Sequence, residues 1–502
     1  VKNTTFTRLA RAAAALVAVA LIATVLAATS GGDPTLSVDI SSRPLGQPIE
    51  AGFLGLSIEY TSLAGYLGND PGAPNPLFLA LVRRLNPGQS PVLRIGGDST
   101  DWTWWPVAGM PRPGGIRLTL TRRMLAVLAA TARTLDARMI MGVNLEANSR
   151  RVAGAEARAL ARALGGHLAY LELGNEPELY GAFAWYINAQ GARVYGRPHS
   201  GWNFAAYLSD YGRILSALPR GIPVAGMATG SPRWWAQTAQ FLRRYPHTAL
   251  LTYHRYPLRG CNVAPTSPQT ATIPHLLSPA SSIGLAASLS NALAAARARG
   301  VPVRVDELNS VACGGTHGVS DSFASALWMT ETLFAMAAEG VQGVNVHTGI
   351  GLRYEPFIFR YSHGTWSAHV QPDYYGMELF ARAAPPGSRL LAISASSWPH
   401  LQAWATRSAG GTVRAVLIDN SPGQGATVNL SAPLNADRAT VQQLRAPSLA
   451  ARGGVTLAGQ RFASQTRTGR LIGRLRAPAV RGRHGRFQIS LPAASAVLVT
   501  IR

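Results

Sequence analysis

The sequence predicts an α/β architecture: a (β/α)8 TIM barrel followed by a C-terminal all-β sandwich domain. Three observations carry that reading. Between residues 51 and 385 short apolar runs of strand length alternate with segments of helix length, and the runs number eight, the count at which a parallel sheet closes on itself. From about Ser388 the helical segments stop, and short strand-like runs separated by Pro, Gly and Ser remain. A doubly wound open sheet is the competing architecture, but no GxGxxG turn follows the first strand.

Residues 1–30 have the layout of an export signal peptide. Lys2, Arg8 and Arg11 precede an apolar stretch over 12–28 broken by Thr24, and Ala28-Thr29-Ser30 supplies the small residues of a cleavage site. An uncleaved signal anchor is the alternative, because the stretch approaches spanning length. No cysteine follows closely enough for a lipid anchor, and no other segment is long and apolar enough to cross a membrane. Residues 35–50 alternate apolar and polar and are expected to join the sandwich. Barrel strands are expected at 53–59, 91–96, 138–144, 168–174, 222–227, 249–254, 302–307 and 342–347. Helices are expected at 121–135, 153–164, 203–218, 281–299 and 320–339, with Gly300 and Gly340 as stops. The second domain, 386–502, reads as strands at 390–395, 401–405, 413–419, 427–431 and 496–501, while 440–444 is too short to assign.

With 502 residues and 47% hydrophobic content the chain can build cores in two domains, which excludes a disordered protein. The formal charge of +23 is almost entirely arginine, since Lys2 is the only lysine among 47 basic residues. Such a bias fits a GC-rich coding sequence as well as a polyanion-binding surface, so charge alone names no partner and no nucleic acid is expected. Cys261 and Cys313 follow the sixth and seventh expected strands and so lie on loops of one rim. Export favours a disulfide between them, two free thiols are the alternative, and the absence of a CxxC spacing argues against zinc.

Chemistry concentrates at two strand ends, Leu173-Gly174-Asn175-Glu176-Pro177 and Val305-Asp306-Glu307-Leu308-Asn309. In a parallel barrel all strand tips share one rim, so two carboxylates distant in sequence can meet across a sugar ring. Cleaving a glycosidic bond with retention takes one acid to protonate the leaving oxygen and one carboxylate to attack the anomeric carbon. Glu176 and Glu307 can fill those roles, and Asn175 beside Glu176 can hydrogen-bond the sugar 2-hydroxyl. A lone strand-end glutamate would read as a solvated loop charge. Two of them, on the fourth and seventh strands, do not. His and Glu are too scattered for a metal site, and this chemistry needs neither metal nor cofactor.

The run Leu171-Glu172-Leu173-Gly174-Asn175-Glu176-Pro177 resembles the acid/base motif of glycoside hydrolase family 79, the β-glucuronidase and heparanase group within the clan of retaining (β/α)8 enzymes. Val303-Arg304-Val305-Asp306-Glu307-Leu308-Asn309-Ser310, with Gly314-Gly315 and Ser320-Asp321-Ser322-Phe323-Ala324 after it, resembles that family's nucleophile strand and following helix. The likeness runs from about Phe53 through the sandwich, where it is one of general texture. It implies Glu176 as acid/base and Glu307 as nucleophile. Arg94, in Leu93-Arg94-Ile95-Gly96-Gly97, resembles the clan's second-strand arginine that keeps the nucleophile ionised; pairing with a structural carboxylate is the alternative. Glu59 looks like a first-strand acid that contacts sugar hydroxyls, with a buried salt bridge as the alternative. Tyr253-His254-Arg255-Tyr256 resembles the cluster near the nucleophile, where Tyr256 would hydrogen-bond Glu307 or simply pack, and His254 would join it or sit in the core.

Residues 347–354, His-Thr-Gly-Ile-Gly-Leu-Arg-Tyr, resemble the family's loop that holds a uronic-acid carboxylate, through the Gly351 N–H and the Tyr354 hydroxyl; an ordinary glycine-rich turn is the alternative. Ala312 departs from heparanase, which has an aromatic residue there. The resemblance therefore implies a secreted or cell-surface retaining β-glycosidase, a β-glucuronidase acting on terminal glucuronic acid, with glucuronide or uronic-acid-containing glycans as substrates. A heparanase-like endo-β-glucuronidase and a non-catalytic carbohydrate-binding wall protein are the alternatives. A membrane would be a partner only if the N-terminal segment stays uncleaved.

Overall fold

A computed structural model describes residues 33–502. The expected signal peptide, 1–30, lies outside the described residues. Eight parallel strands close into a barrel: Leu54–Glu59, Val92–Gly96, Arg138–Val143, Leu168–Leu173, Val224–Thr229, Thr248–Arg255, Val303–Leu308 and Gly343–Thr348, numbered here first to eighth. Each pairs with its sequence neighbours and the eighth closes on the first, Val344 opposite Leu54. Helices cover the outside, so both faces of each strand are buried and the strands read as apolar runs rather than alternations. One polar side chain fills the barrel floor. Arg304 points inward from the seventh strand and donates to Gly52 O, Phe53 O and Asn345, and burial pushes its guanidinium down to about 9.

The helices follow local signals. Arg122–Leu135 starts at Thr121, whose hydroxyl accepts from Met124 N, and Arg150–Leu164 starts at Ser149, which does the same for Val152 N. The expected helix 281–299 is broken into a short turn at Ile283–Ala287 and a helix at Ser290–Arg297. Ser282 there leaves helical geometry and donates its hydroxyl to buried Glu331, and Ser288 turns its hydroxyl back to Leu285 O. Two helices that the apolar spacing did not single out, Pro76–Leu85 and Pro372–Ala383, both carry proline in the first turn. The second packs against Phe323–Glu339 so closely that a side-chain carbon at Gly376 would collide with Ala326 O, which explains glycine inside a helix.

Past Pro372–Ala383 the chain forms the expected β-sandwich domain, built from one continuous curled sheet. It includes Arg389–Ala395, Leu401–Arg407, Val413–Asp419, Ala426–Ser431, Arg438–Arg445, Arg486–Leu491 and Ser495–Ile501, joined by Thr35–Leu45, which pairs with both Arg389–Ala395 and Ala426–Ser431. Alternation sets its two faces: Ala415, Leu417, Val497 and Val499 fill the domain's own core, while Val416, Ile418, Ala496 and Leu498 join the core of the barrel. Arg438–Arg445 is a full strand lying beside Ser495–Ile501; its polar Gln442 and Gln443 hid it. The domains also share backbone. Ala451 O and Leu449 O accept from Phe323 N and Ala324 N, satisfying donors that the start of that helix leaves open.

Candidate active site

The C-terminal rim of the barrel gathers a dense set of charges. At its base lies Arg94, on the second strand, with no exposed surface. Its Nε donates to Glu172 Oε2 at 2.7 Å, Nη1 to Glu307 Oε2 at 2.8 Å and to Ser57 Oγ at 3.0 Å, and Nη2 to Asn175 Oδ1 at 2.9 Å. Arg94 thus pairs with Glu307 and also with structural carboxylates, so the two sequence readings of it coexist. Glu307 also accepts from Tyr256 Oη at 2.7 Å. Burial opposes a charge on Glu307, but the His347, His254 and Arg94 charges and the Tyr256 hydrogen bond outweigh it and hold its carboxyl well below the usual range.

Glu176 sits opposite, just past the fourth strand, in left-handed backbone geometry with φ of 42°. That conformation is costly for a residue with a side chain and marks a position set by its surroundings, here the bond from Glu176 N to Ala228 O at 2.8 Å. Its carboxylate accepts from His254 Nδ1 at 3.0 Å and keeps 22% exposure, the most open of the pair. Burial works against charge on His254, yet the Glu307 charge and the bond to Glu176 raise it, which favours the imidazolium. Oxygens of Glu176 and Glu307 and a His254 nitrogen lie within 4.8 Å of one another, a set that could ligate a metal. The protonated imidazole has no lone pair to offer at Nδ1, so the set is better suited to holding charge and protons than to holding a cation.

Asp306 follows a different rule from its neighbour. Consecutive strand residues normally face opposite sides, but the pairing of the seventh strand shifts by one residue on both flanks, between Thr252 and His254 and between Val305 and Leu308. That irregularity turns Asp306 and Glu307 toward the same guanidinium. Asp306 Oδ2 lies 2.9 Å from Arg94 Nε, whose single hydrogen is already given to Glu172. Both Asp306 oxygens and Glu172 Oε1 are left without a partner. A proton on Asp306, donated to Glu172, gives Glu172 Oε1 and one Asp306 oxygen a partner and removes the clash of two buried anions. Burial and then the Glu172 charge raise Asp306 well above the carboxylate range, whereas burial of Glu172 is outweighed by Arg94 together with the Asp306 hydrogen bond, the His254 charge and Thr252, which keep it low.

Glu59 closes the first strand, is 15% exposed, and accepts from Asp98 N at 3.1 Å and Ser99 N at 2.9 Å, with His347 Nε2 at 3.5 Å. Gly97 between them has φ of 75°, and a side chain there would run into the Glu59 carboxylate. Asn175 gives Nδ2 to Asp98 Oδ1 at 3.3 Å. Tyr354 packs 6.1 Å from both the Tyr256 and the His347 rings. Gly351 is a correction: its N–H donates to Glu355 Oε1 at 2.7 Å, so the chain's own carboxylate already occupies it. Cys261 and Cys313 are joined, Cα atoms 6.0 Å apart, tying the loop after the sixth strand to that after the seventh.

Asp98, Glu172, Asp306 and His347 were not singled out from the sequence. Asp98, Glu172 and Asp306 all lie within four residues of a strand end, where a search for acids would have found them. His347, the last but one residue of the eighth strand, is brought to Glu59 and Glu307 only by the barrel's closure.

Fold and cleft together are those of a glycoside hydrolase. Residues 403–498 match the model described as the glycosyl hydrolase family 79 C-terminal beta domain. A β-glucuronidase of Neurospora crassa is 24% identical over 454 residues, covering 80% of this chain and 77% of that enzyme, and a β-glucuronidase of Aspergillus niger is 24% identical over 336 residues, covering 61% and 60%. In fold, the chain is similar to a 4-O-α-L-rhamnosyl-β-D-glucuronidase from Fusarium oxysporum 12S, with a TM-score of 0.71 and 19% identity over 93% of this chain and all of that one. A family 51 arabinofuranosidase from Xanthomonas axonopodis pv. citri gives 0.64 and 15% over 93% and 99%. The chain is thus similar to β-glucuronidases over most of its length and to the glycosyl hydrolase family 79 C-terminal domain over 403–498.

The proton on Asp306 has a direct test. Asp306→Asn keeps the shape and offers an amide N–H to Glu172, so urea unfolding is expected to show a loss of under about 1.5 kcal/mol, whereas Glu172→Gln removes the charge facing Arg94 and is expected to lose about 3 kcal/mol or more. The opposite order would make Asp306 the ionised member. The buried acids Asp306, Glu156 and Asp373 all titrate above their usual range because burial disfavours their charge. Their contribution is complete below the unfolded carboxylate value of about 4 and erodes as pH rises. Raised His254 and His347 add stability present below about 6.5 and lost as pH climbs through their folded values. Thermal unfolding is therefore expected at higher temperature at pH 5 than at pH 8; a higher midpoint at pH 8 would contradict the protonation states assigned here.

Proposed function

We propose that the chain is a retaining β-glucuronidase in which Glu307 is the nucleophile and Glu176 the acid/base. The observation that carries this is the pair of carboxylates within 4.8 Å, one strongly held as an anion and the other open to the cleft. A spacing of about 5–5.5 Å is the one used for direct attack, since an interposed water needs about 6.5–9.5 Å. Glu307 attacks the anomeric carbon while Glu176 gives a proton to the leaving oxygen; Glu176 then takes one from the water that releases the sugar. His254, 3.0 Å from Glu176 and 3.7 Å from Glu307, is a proton neighbour to the first and a counter-charge to the second. Asn175 retains one amide hydrogen for the sugar, and Glu59 faces its hydroxyls. The two β-glucuronidase relatives support glucuronic acid as the sugar. Tyr354 is the group we assign to its carboxylate. Export is part of the proposal, supported by the layout of residues 1–30 and by the disulfide.

Glu307→Gln is expected to abolish turnover of an aryl β-glucuronide. Glu176→Ala is expected to slow substrates with good leaving groups mainly at release of the sugar, with partial recovery in azide, which attacks without a general base. Full activity of either variant would remove the assignment. Tyr354→Phe is expected to weaken aryl glucuronide hydrolysis by about tenfold or more and to affect the matching glucoside much less. Equal losses on the two would instead tie Tyr354 to the nucleophile through neighbouring Tyr256, and a wild-type preference for the glucoside would overturn the sugar.

A further inference from the structure

The arginine excess is unevenly distributed. Residues 51–385 carry 28 arginines against 19 acids, whereas residues 386–502 carry 15 against two, and 438–502 holds twelve arginines with no aspartate or glutamate. A coding bias toward arginine acts on both domains alike. It does not explain why acids are missing from one of them.

The fold gathers part of this charge around a groove of about 890 Å³ lined by Arg445, Arg474 and Arg476. All three are exposed. Among the described residues the domain's one ion pair is Arg452 with Asp321 of the barrel, which leaves these three without a carboxylate partner. The segment that presents them is fixed by backbone bonds: Arg476 N donates to Ala458 O at 2.7 Å, and Arg461 and Ile472 exchange bonds of 3.0 and 2.7 Å. Like charges held close together with no counter-charge repel, a cost that an anionic occupant relieves. No aromatic ring lines the groove, so neither base stacking nor ring stacking on a neutral sugar is available there. Guanidinium pairing with carboxylate, sulfate or phosphate is what remains.

We propose that this groove docks an acidic polysaccharide, with Arg445, Arg474 and Arg476 pairing its carboxylate or sulfate groups, and that it thereby holds the polymer on which the barrel acts. The last clause rests on the β-glucuronidase reading; the docking does not. Polygalacturonate, heparin, dextran and duplex DNA serve as probes in affinity electrophoresis of the full chain, with uronate and sulfate sources separated by the first two. Retardation is expected with polygalacturonate or heparin, weakening steeply as salt rises from 50 to 300 mM, and none with dextran. The R445Q/R474Q/R476Q variant, whose changes are all on exposed side chains, is expected to lose at least tenfold in affinity with kcat/KM on an aryl glucuronide unchanged and the melting temperature not lowered. Dextran binding as strong as the acidic polymers, undiminished affinity in the triple variant, or tighter binding to DNA than to either polysaccharide would each overturn the proposal. If docking holds but no glucuronide is cleaved, the groove stands and the function proposed for the barrel falls.

Discussion

A single buried guanidinium organises the cleft. Taking Arg94 out of water costs several kcal/mol, and that cost is offset only by paired charge and hydrogen bonds. Four of its five N–H groups are met, two by the carboxylates of Glu172 and Glu307 and two by the neutral oxygens of Ser57 and Asn175, which arrive from the fourth, seventh and first strands and the loop that follows the fourth. Each of those residues is positioned by the same contact, so the guanidinium acts as a template for the site as well as a counter-charge within it. The neutral Asp306 is part of that balance. Were it ionised, three carboxylates would crowd one arginine and the histidines would have to carry more of the compensation.

The difference between the two glutamates follows from this arrangement. Glu307 faces Arg94, Tyr256 and two raised histidines and stays an anion; Glu176 stands off the guanidinium, touching only His254 among these groups, and opens to the cleft. One environment suits attack and the other suits proton exchange. The rim is then braced from outside by the Cys261–Cys313 bridge and by the C-terminal domain, whose backbone caps the helix that follows the seventh strand.

The molecule also separates its charges in space. Acids concentrate at the mouth of the barrel, with Glu59, Asp98, Glu176 and Glu307 close together, while arginine without counter-charge lies in the second domain. A cleft rich in carboxylates is a poor attractor of an anionic polymer from a distance. A basic companion domain supplies the long-range attraction that the cleft lacks.

What the sequence determined by itself was local. Eight apolar runs set the barrel because each is long enough for a strand and short enough to need a helix after it, and Glu176 and Glu307 were legible because strand tips share one rim whatever the details. Tyr256 and Arg94 were legible through their place in matching motifs. Only the tertiary structure decided what depends on exact closure. The shifted pairing of the seventh strand turns Asp306 toward Arg94, the closure brings His347 and Glu172 into the same cluster, and Glu355 takes the Gly351 N–H that the sequence had left free. The curled second sheet kept one strand, Arg438–Arg445 next to its edge, hidden for a related reason. Its strands are stabilised by partners distant in the chain, and pairing between distant segments leaves little trace in the local pattern of residues.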